Sequence, residues 1–493
     1  MAPARLCKHP SLQLDVSPHA AEIGFIRLPF AKRVAAATPS GRVPKSQPKS
    51  KSTAAGTGAG ANNKRDGDGD GEEGSFPGPL ILPNDVLAID EEENDPQSLL
   101  SWIREEMRNP FTQIRKTIYV VSVPTVSEEI SFMRDWVYPT TASSTETVQV
   151  QAETREGMKV EPPQVKDVLA YLAAFYHPLP VKIFPGKSAF VPWSTSSSSK
   201  RTRQPNFVGL HLGNGNTTSN TTSSTSTTVS DEEENGGGAI TRIRTRACPD
   251  GAFPRQLNLN DILDGIMEAL PADAYAVSMM VEHDLYEDEE DDFCCGRAYG
   301  NSRVSVVSTA RYHPALDEDV VDRWHMWPAS HCRDYVERLC GTGAASKKKQ
   351  KKGTKLTQTE GDENSPIRAA ITAAQATGDP ASNLHGLWFS RVARTISHEI
   401  GHCLCLAHCP YYACVMQSTA GMAEDVRQPP YLCPVCLAKV SRAIMQVTPG
   451  VDEKQFVKSR YLALQGFCEG WLDVAMFAGF HAWLGKRIEV LDG

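Results

Sequence analysis

The chain has 493 residues, of which 40% are hydrophobic and 22% charged, with a net charge of −8 and a pI near 5.9. That length allows one large domain or two to three ordinary ones, and the acidic balance argues against a nucleic-acid surface. The opening MAPARLCKHPSLQLDV lacks the apolar core of a secretory signal and no window offers the uninterrupted apolar run of a spanning helix, so a cytoplasmic or nuclear chain with no membrane partner is expected.

Residues 1–93 read as a mostly disordered lead. The stretch 36–75 is rich in Ala, Gly, Ser, Lys and Asp, with little to bury, and order can begin near Pro77, where PGPLILP (77–83) offers an apolar patch. One folded unit is expected over 94–485. It starts with a helix at 98–107, and VSEEISFMRDWV (126–137) can form another. In 163–176, Val168, Leu169, Leu172 and Phe175 recur at helical spacing until Pro178 and Pro180 stop the helix. VKIF at 181–184 reads as a strand. Residues 194–238, mostly Ser, Thr, Asn and Gly, read as a low-complexity insert containing one short apolar patch, FVGLHL at 207–212.

Order resumes near Arg255. The stretch 257–270 predicts a helix with Asn260 as N-cap, ended by Pro271. AYAVSMMV (274–281) is a candidate buried strand, and FCCGRAYG (293–300) and RVSVVSTARY (303–312) read as neighbouring strands. Asp284 and Tyr286 either shape a cleft or belong to an exposed acidic turn. Arg311 and Tyr312 end a strand where a substrate-contacting edge can lie, and Arg297 is open to reading as a surface charge. A second, basic insert spans 341–365. One long helix is predicted over 383–403 and a final helix or two over 459–485. Helices and strands interleave, so the fold class is α/β or α+β.

The chemistry-bearing motif is His398-Glu399-Ile400-Gly401-His402, followed by His408. On an α-helix, residues four apart are turned by about 400° and rise about 6 Å, so the two imidazoles can converge on one Zn²⁺. Glu399, about 100° round, is placed to take a proton from a water rather than to act as a third equivalent ligand. On a continued helix His408 would lie about 240° from His402 and out of reach, so the chain must reverse near 404–407. Cys409, Cys414, Cys433 and Cys436, the last two a C-x-x-C knuckle, fit a closed tetrahedral zinc site. Buried thiols or a redox C-x-x-C are the alternatives.

The pattern H-E-x-x-H-x₅-H-C-x₄-C-x-M with a later C-x-x-C resembles the archaemetzincins, a branch of the metzincin zinc peptidases. The match runs HEIGHCLCLAHCPYYACVMQS (398–418) and CPVC (433–436), with weaker likeness in DLY (284–286), FCCGRAYGNSRVSVVSTAR (293–311) and RVARTISHEIGH (391–402). The resemblance implies a zincin-like fold, with a mixed twisted sheet, an active-site helix and a C-terminal helical part. It implies two Zn²⁺ per chain, one catalytic on His398, His402 and His408, one structural on Cys409, Cys414, Cys433 and Cys436. It makes Glu399 the general base and Met416 a floor beneath the histidines. The substrate it implies is a peptide or protein, with an aminopeptidase-like preference for small peptides. In two places the chain departs from the pattern. The spacer from Met416 to Cys433 is one residue short, a loop-length detail. Cys405 stands where the family has glycine, within the required reversal. Either Cys405 adopts a strained left-handed backbone, or the turn falls one residue later with Cys405 right-handed. An active peptidase is the leading expectation. A weak or inactive zinc-binding regulatory protein on the same fold is the alternative. A finger-like zinc adaptor leaves Glu399 without a purpose.

Overall fold

In the computed structural model the described residues are 9–44, 72–85, 96–140, 160–193, 205–213, 238–318, 320–341 and 364–492. In chain order they form helices α1 (Pro18–Glu22), α2 (Phe30–Ala36) and α3 (Leu99–Arg104), strands β1 (Thr117–Val121) and β2 (Thr125–Val126), and a 3-10 helix at Glu128–Asp135. Next come α4 (Val165–Phe175), β3 (Val181–Ile183), β4 (Ser188–Val191), β5 (Phe207–Gly213), β6 (Gly238–Ala247) and β7 (Arg255–Asn258). Helix α5 (Leu259–Glu268) is capped by Asn258, whose side chain accepts from the Asp261 N–H, two residues before the expected Asn260. Strands β8 (Ala274–Val281), β9 (Asp284–Tyr286), β10 (Gly296–Ala298) and β11 (Val304–Ser308) follow. The helical half comprises α6 (Arg333–Leu339), α7 (Pro366–Ala376), α8 (Leu384–Cys403), α9 (Pro434–Ile444), α10 (Glu453–Cys468) and α11 (Ala475–Asp492).

Five strands make a sheet in the order β10-β11-β8-β1-β3. All its pairings are parallel except that of β10, which lies antiparallel at the edge. Every residue of β8 is buried, as a parallel strand covered on both faces requires. The sides of β1 alternate. Ile118 and Val120 join a core with Phe175, Ile396, Ile400 and Phe477. Tyr119 and Val121 join another with Leu210, Ile262, Val277 and Val306. Helix α8 packs against β8, β10 and β11, and α5 packs against β11 and a second sheet of order β2-β4-β5-β6-β7-β9. The mixed α/β class expected from the sequence is what the strands and helices form.

Two expectations need correction. Residues 9–44 and 72–85 are not a structureless lead. Phe76 packs edge-on against Tyr412, Tyr431 and Trp483, and Trp483 Nε1 donates to the Ser75 carbonyl at 3.0 Å. Leu12 bridges to Cys332. The polar composition of 36–75 hides these anchors, which lie mainly on either side of it. Residues 45–71 fall outside the described residues. The first insert is also not uniform: 207–213 within it is β5, paired on both sides in the second sheet. Residues 194–204, 214–237 and 342–363 lie outside the described residues.

Candidate metal centre

Helix α8 begins at Asn383, whose side chain accepts from Gly386 N at 2.7 Å, and it is buried along most of its length. Near its end His398 and His402 bring their Nε2 atoms to 2.9 Å, and the His408 ring centroid lies 5.3 and 4.9 Å from theirs. One donor atom from each of the three lies within 4.8 Å of the others. The opposite ring nitrogens are spoken for: His398 Nδ1 bonds the Val415 carbonyl at 2.6 Å and His402 Nδ1 the Leu406 carbonyl at 2.7 Å. A carbonyl can only accept, so each Nδ1 carries the proton and each Nε2 presents a lone pair. Two lone pairs face to face repel unless a cation lies between them. Nitrogens at zinc-ligand distance on a tetrahedron are about 3.3 Å apart, close to the spacing found. Burial, with the neighbouring imidazoles, holds His398 well below its ordinary pKa and hence neutral, the ligating form.

The third histidine arrives through a tight reversal. Cys405 N donates to the His402 carbonyl at 2.8 Å and Leu406 N to the Gly401 carbonyl at 3.2 Å, the paired bonds of a Schellman stop. Cys405 sits in the left-handed region at φ 62°, which decides between the two turns left open by the sequence. The stop also delivers the Leu406 carbonyl to His402. Two side chains from the segment ahead of β1 clamp it. Trp102 Nε1 donates to the Leu404 carbonyl at 3.0 Å. Gln97 donates to the Cys405 carbonyl and accepts from Ala407 N, both at 3.0 Å. Beneath the helix, a Cβ at Gly401 would come 2.5 Å from Met416 Sδ, so the glycine makes room for the methionine.

The four cysteines Cys409, Cys414, Cys433 and Cys436 are buried, with one donor atom from each within 4.8 Å of the rest. The Cys409–Cys433 and Cys414–Cys436 sulfurs are 3.5 and 3.9 Å apart. Four thiolates on one zinc have edges of about 3.8 Å. Met416 N donates to Cys414 Sγ at 3.3 Å, and Cys433 caps α9 at its N-terminus, where helix amides favour negative charge. Hydrogen bonds from the other three sulfurs hold the Cys409 thiol well below its ordinary pKa, while burial pushes Cys414 and Cys433 up. Such a cluster cannot ionise fully without a cation.

Glu399 faces a cleft of about 440 Å³ lined by the three histidines, strand β10, Tyr312 and the 418–422 loop. Its carboxyl receives the Ala298 backbone N–H, and burial pushes it up to about 8, with Arg297 pulling the other way. A Cβ at Gly296 would stand 3.2 Å from Glu399 Cγ, so the glycine leaves space for this side chain at the sheet edge. Arg297 is half-exposed and pairs with Glu287 at 3.2 Å.

Residues 373–442 match the model of Peptidase family M54. Over 189 residues the chain is 28% identical to Archaemetzincin-2 of Homo sapiens, covering 38% of this chain and 42% of that protein. Over 82 residues it is 32% identical to Archaemetzincin of Methanopyrus kandleri, covering 17% and 45%. In these segments the chain is similar to the archaemetzincins. It spans 42% of the length of the Archaemetzincin-2 relatives it matches. A crystal structure of the Methanopyrus kandleri archaemetzincin aligns with 67% of this chain and 96% of that one at 14% identity, with a TM-score of 0.29.

Within the chain the sequence-predicted histidines and cysteines form two separate clusters, and Cys405 joins neither. Asp284 and Tyr286 do not line the cleft. Asp284 is fully buried and pairs with Arg311 at 2.6 Å, an internal tie beneath the sheet edge. Tyr312 does line it, with its hydroxyl accepting from Thr395 Oγ1 at 2.6 Å. The orienting carbonyls and the Gln97–Trp102 clamp carry no sequence signature, because any residue supplies a carbonyl and the clamp is remote in the chain. Among the described residues no helix is long and apolar enough to cross a membrane.

Proposed function

We propose that this chain is a zinc-dependent peptidase that hydrolyses peptide bonds, with a preference for short peptides from the amino end. In this reading His398, His402 and His408 hold a catalytic Zn²⁺, and Cys409, Cys414, Cys433 and Cys436 hold a structural one. The observation that carries it is the trio of converging imidazoles, two of them fixed by carbonyls at Nδ1, beside a buried carboxylate aimed into the same cleft. Zinc bound there supplies a Lewis acid that polarises the scissile carbonyl and acidifies water. Glu399 takes the proton of the attacking water at its carboxylate and returns it to the leaving amine. The Ala298 amide keeps that carboxylate oriented. The exposed side of β10 offers a strand against which an extended peptide can pair, which aligns the bond to be cut. A cleft of about 440 Å³ suits a few residues of substrate.

A second reading, a slow or inactive zinc-binding regulator, is favoured by one observation: the non-glycine residue at φ 62° in the turn that presents His408. One experiment separates them. Dialysis against a strong chelator is expected to abolish cleavage of short unblocked peptides, and added zinc to restore it. Cleavage that persists without metal contradicts the proposal, and no cleavage at full zinc occupancy favours the regulator.

A further inference from the structure

A third cluster lies outside both sites. His9, His325 and Cys332 are each over nine-tenths buried, and one donor atom from each lies within 4.8 Å of the others. His325 Nδ1 bonds the Asp322 carboxylate at 2.7 Å. That bond makes Nδ1 the donor and turns Nε2 away from the carboxylate. Among the described residues neither His325 Nε2 nor His9 Nδ1 has a hydrogen-bond partner. A buried polar group left without a partner is costly, and here two stand beside a thiol. A carboxylate on one face of an imidazole with an open nitrogen on the other is the arrangement that orients histidine ligands toward metals.

The backbone holds these residues together through several independent ties. Leu12 bridges to Cys332, Gln13 N donates to the His331 carbonyl at 2.8 Å, and Arg333 N donates to the Ser11 carbonyl at 3.1 Å. Arg368 Nη1 donates to the carbonyl of His9 at 2.7 Å and fixes the residue in place. The His325 ring is stacked on Tyr335 with centroids 4.2 Å apart, so it is held in one orientation. Beside the cluster a cavity of about 40 Å³, bordered by His9, Trp324 and Trp327, has room for water.

We propose that His9, His325 and Cys332 form a third metal site, which takes a divalent ion of the zinc class with a water as fourth ligand and ties the N-terminal segment to the 322–339 region. Two imidazoles and one thiolate are a donor set that zinc accepts, and on binding the Cys332 thiol releases its proton to solvent. The site does not depend on the proposed peptidase activity, and it lies apart from the cleft.

The test compares the full-length protein with three single variants, His9→Gln, His325→Gln and Cys332→Ser. Each is loaded with zinc, dialysed exhaustively and analysed for metal, with a thermal melt to check folding. The expected result is that variants keeping a cooperative melt bind about one zinc ion per chain fewer than the unaltered protein. They should still cleave peptide as the unaltered protein does. The quantity read is the difference between proteins, so incomplete filling of the other two clusters cancels. Equal zinc content in the folded variants and the unaltered chain overturns the proposal. His9→Gln serves as the mildest probe, because its Nδ1 has no protein partner to lose. An unaltered chain that binds no more zinc than the His398 and Cys409 clusters together can hold, with His9→Gln unchanged, overturns it as well.

Discussion

Cys405 carries the sharpest conflict between side chain and backbone. It holds φ 62° while its N–H closes the last turn of α8 and its carbonyl is taken by Gln97. A residue with a Cβ loses about 1–2 kcal/mol there relative to glycine. Cys405→Gly is therefore expected to raise stability by about that amount, read in a thermal melt. It is also expected to raise kcat/KM at matched zinc occupancy, since the turn presents both His408 and the carbonyl that orients His402. A variant that is neither more stable nor faster means the cysteine is accommodated without strain. The thiol itself is no rival for the metal, since it is not among the donors that converge with the histidines. The sequence located the conflict at 405 but left the turn's position open. Backbone conformation at one residue depends on where the helix stops, and the carbonyls of this stop are held by Trp102 and Gln97 from far along the chain.

Among the secondary-structure elements, the reversal after α8, the loop 406–418 and the start of α9 behave as one unit. The Cys409 amide donates to the Met416 carbonyl at 2.8 Å, and Val415, which orients His398, lies between two residues that contact or form the cysteine cluster. In the proposed reading, a metal on the four sulfurs would fasten this loop beneath the histidines. Cys433→Ser is expected to cost one bound zinc and to lower the melting temperature, because binding energy at such a site is folding energy. Cleavage per folded, zinc-loaded molecule should fall much less. Full zinc occupancy with an unchanged melt contradicts a structural role. Both clusters were legible because a helix turns spacing into direction and a C-x-x-C knuckle is local. The clamp was not: Gln97 is 308 residues from Cys405, and nothing in its surroundings marks it. Strand β5 was hidden for a related reason. Its apolar patch is short and flanked by Ser/Thr-rich sequence, yet β4 and β6 pair with it on both sides.

Across the full chain, composition misjudged the N-terminal part because burial there comes from scattered single anchors rather than a periodic face. Leu12 and Leu14 are buried, and Arg27 and Arg33 both reach Glu73, at 3.3 and 3.1 Å. Removing residues 1–44 is expected to destabilise the protein. Exposing the surface those two leucines cover costs about 3–6 kcal/mol as an upper bound. A melt and the soluble yield of the truncated chain check this, and an unchanged melting temperature would show that the segment is dispensable. Gly213 and Gly238 face each other across the β5–β6 ladder.

In the proposed hydrolysis, metal at the histidines and the carboxylate of Glu399 act together. Peptide cleavage by Glu399→Gln at verified zinc content probes that partnership without disturbing either cluster. The substitution removes the proton acceptor but no metal donor and nearly preserves shape. An intact melt, unchanged zinc and a loss in kcat/KM of about 10²–10⁴ or more are expected. Turnover at the unaltered rate in a folded, zinc-loaded Glu399→Gln protein would contradict the role given to this carboxylate.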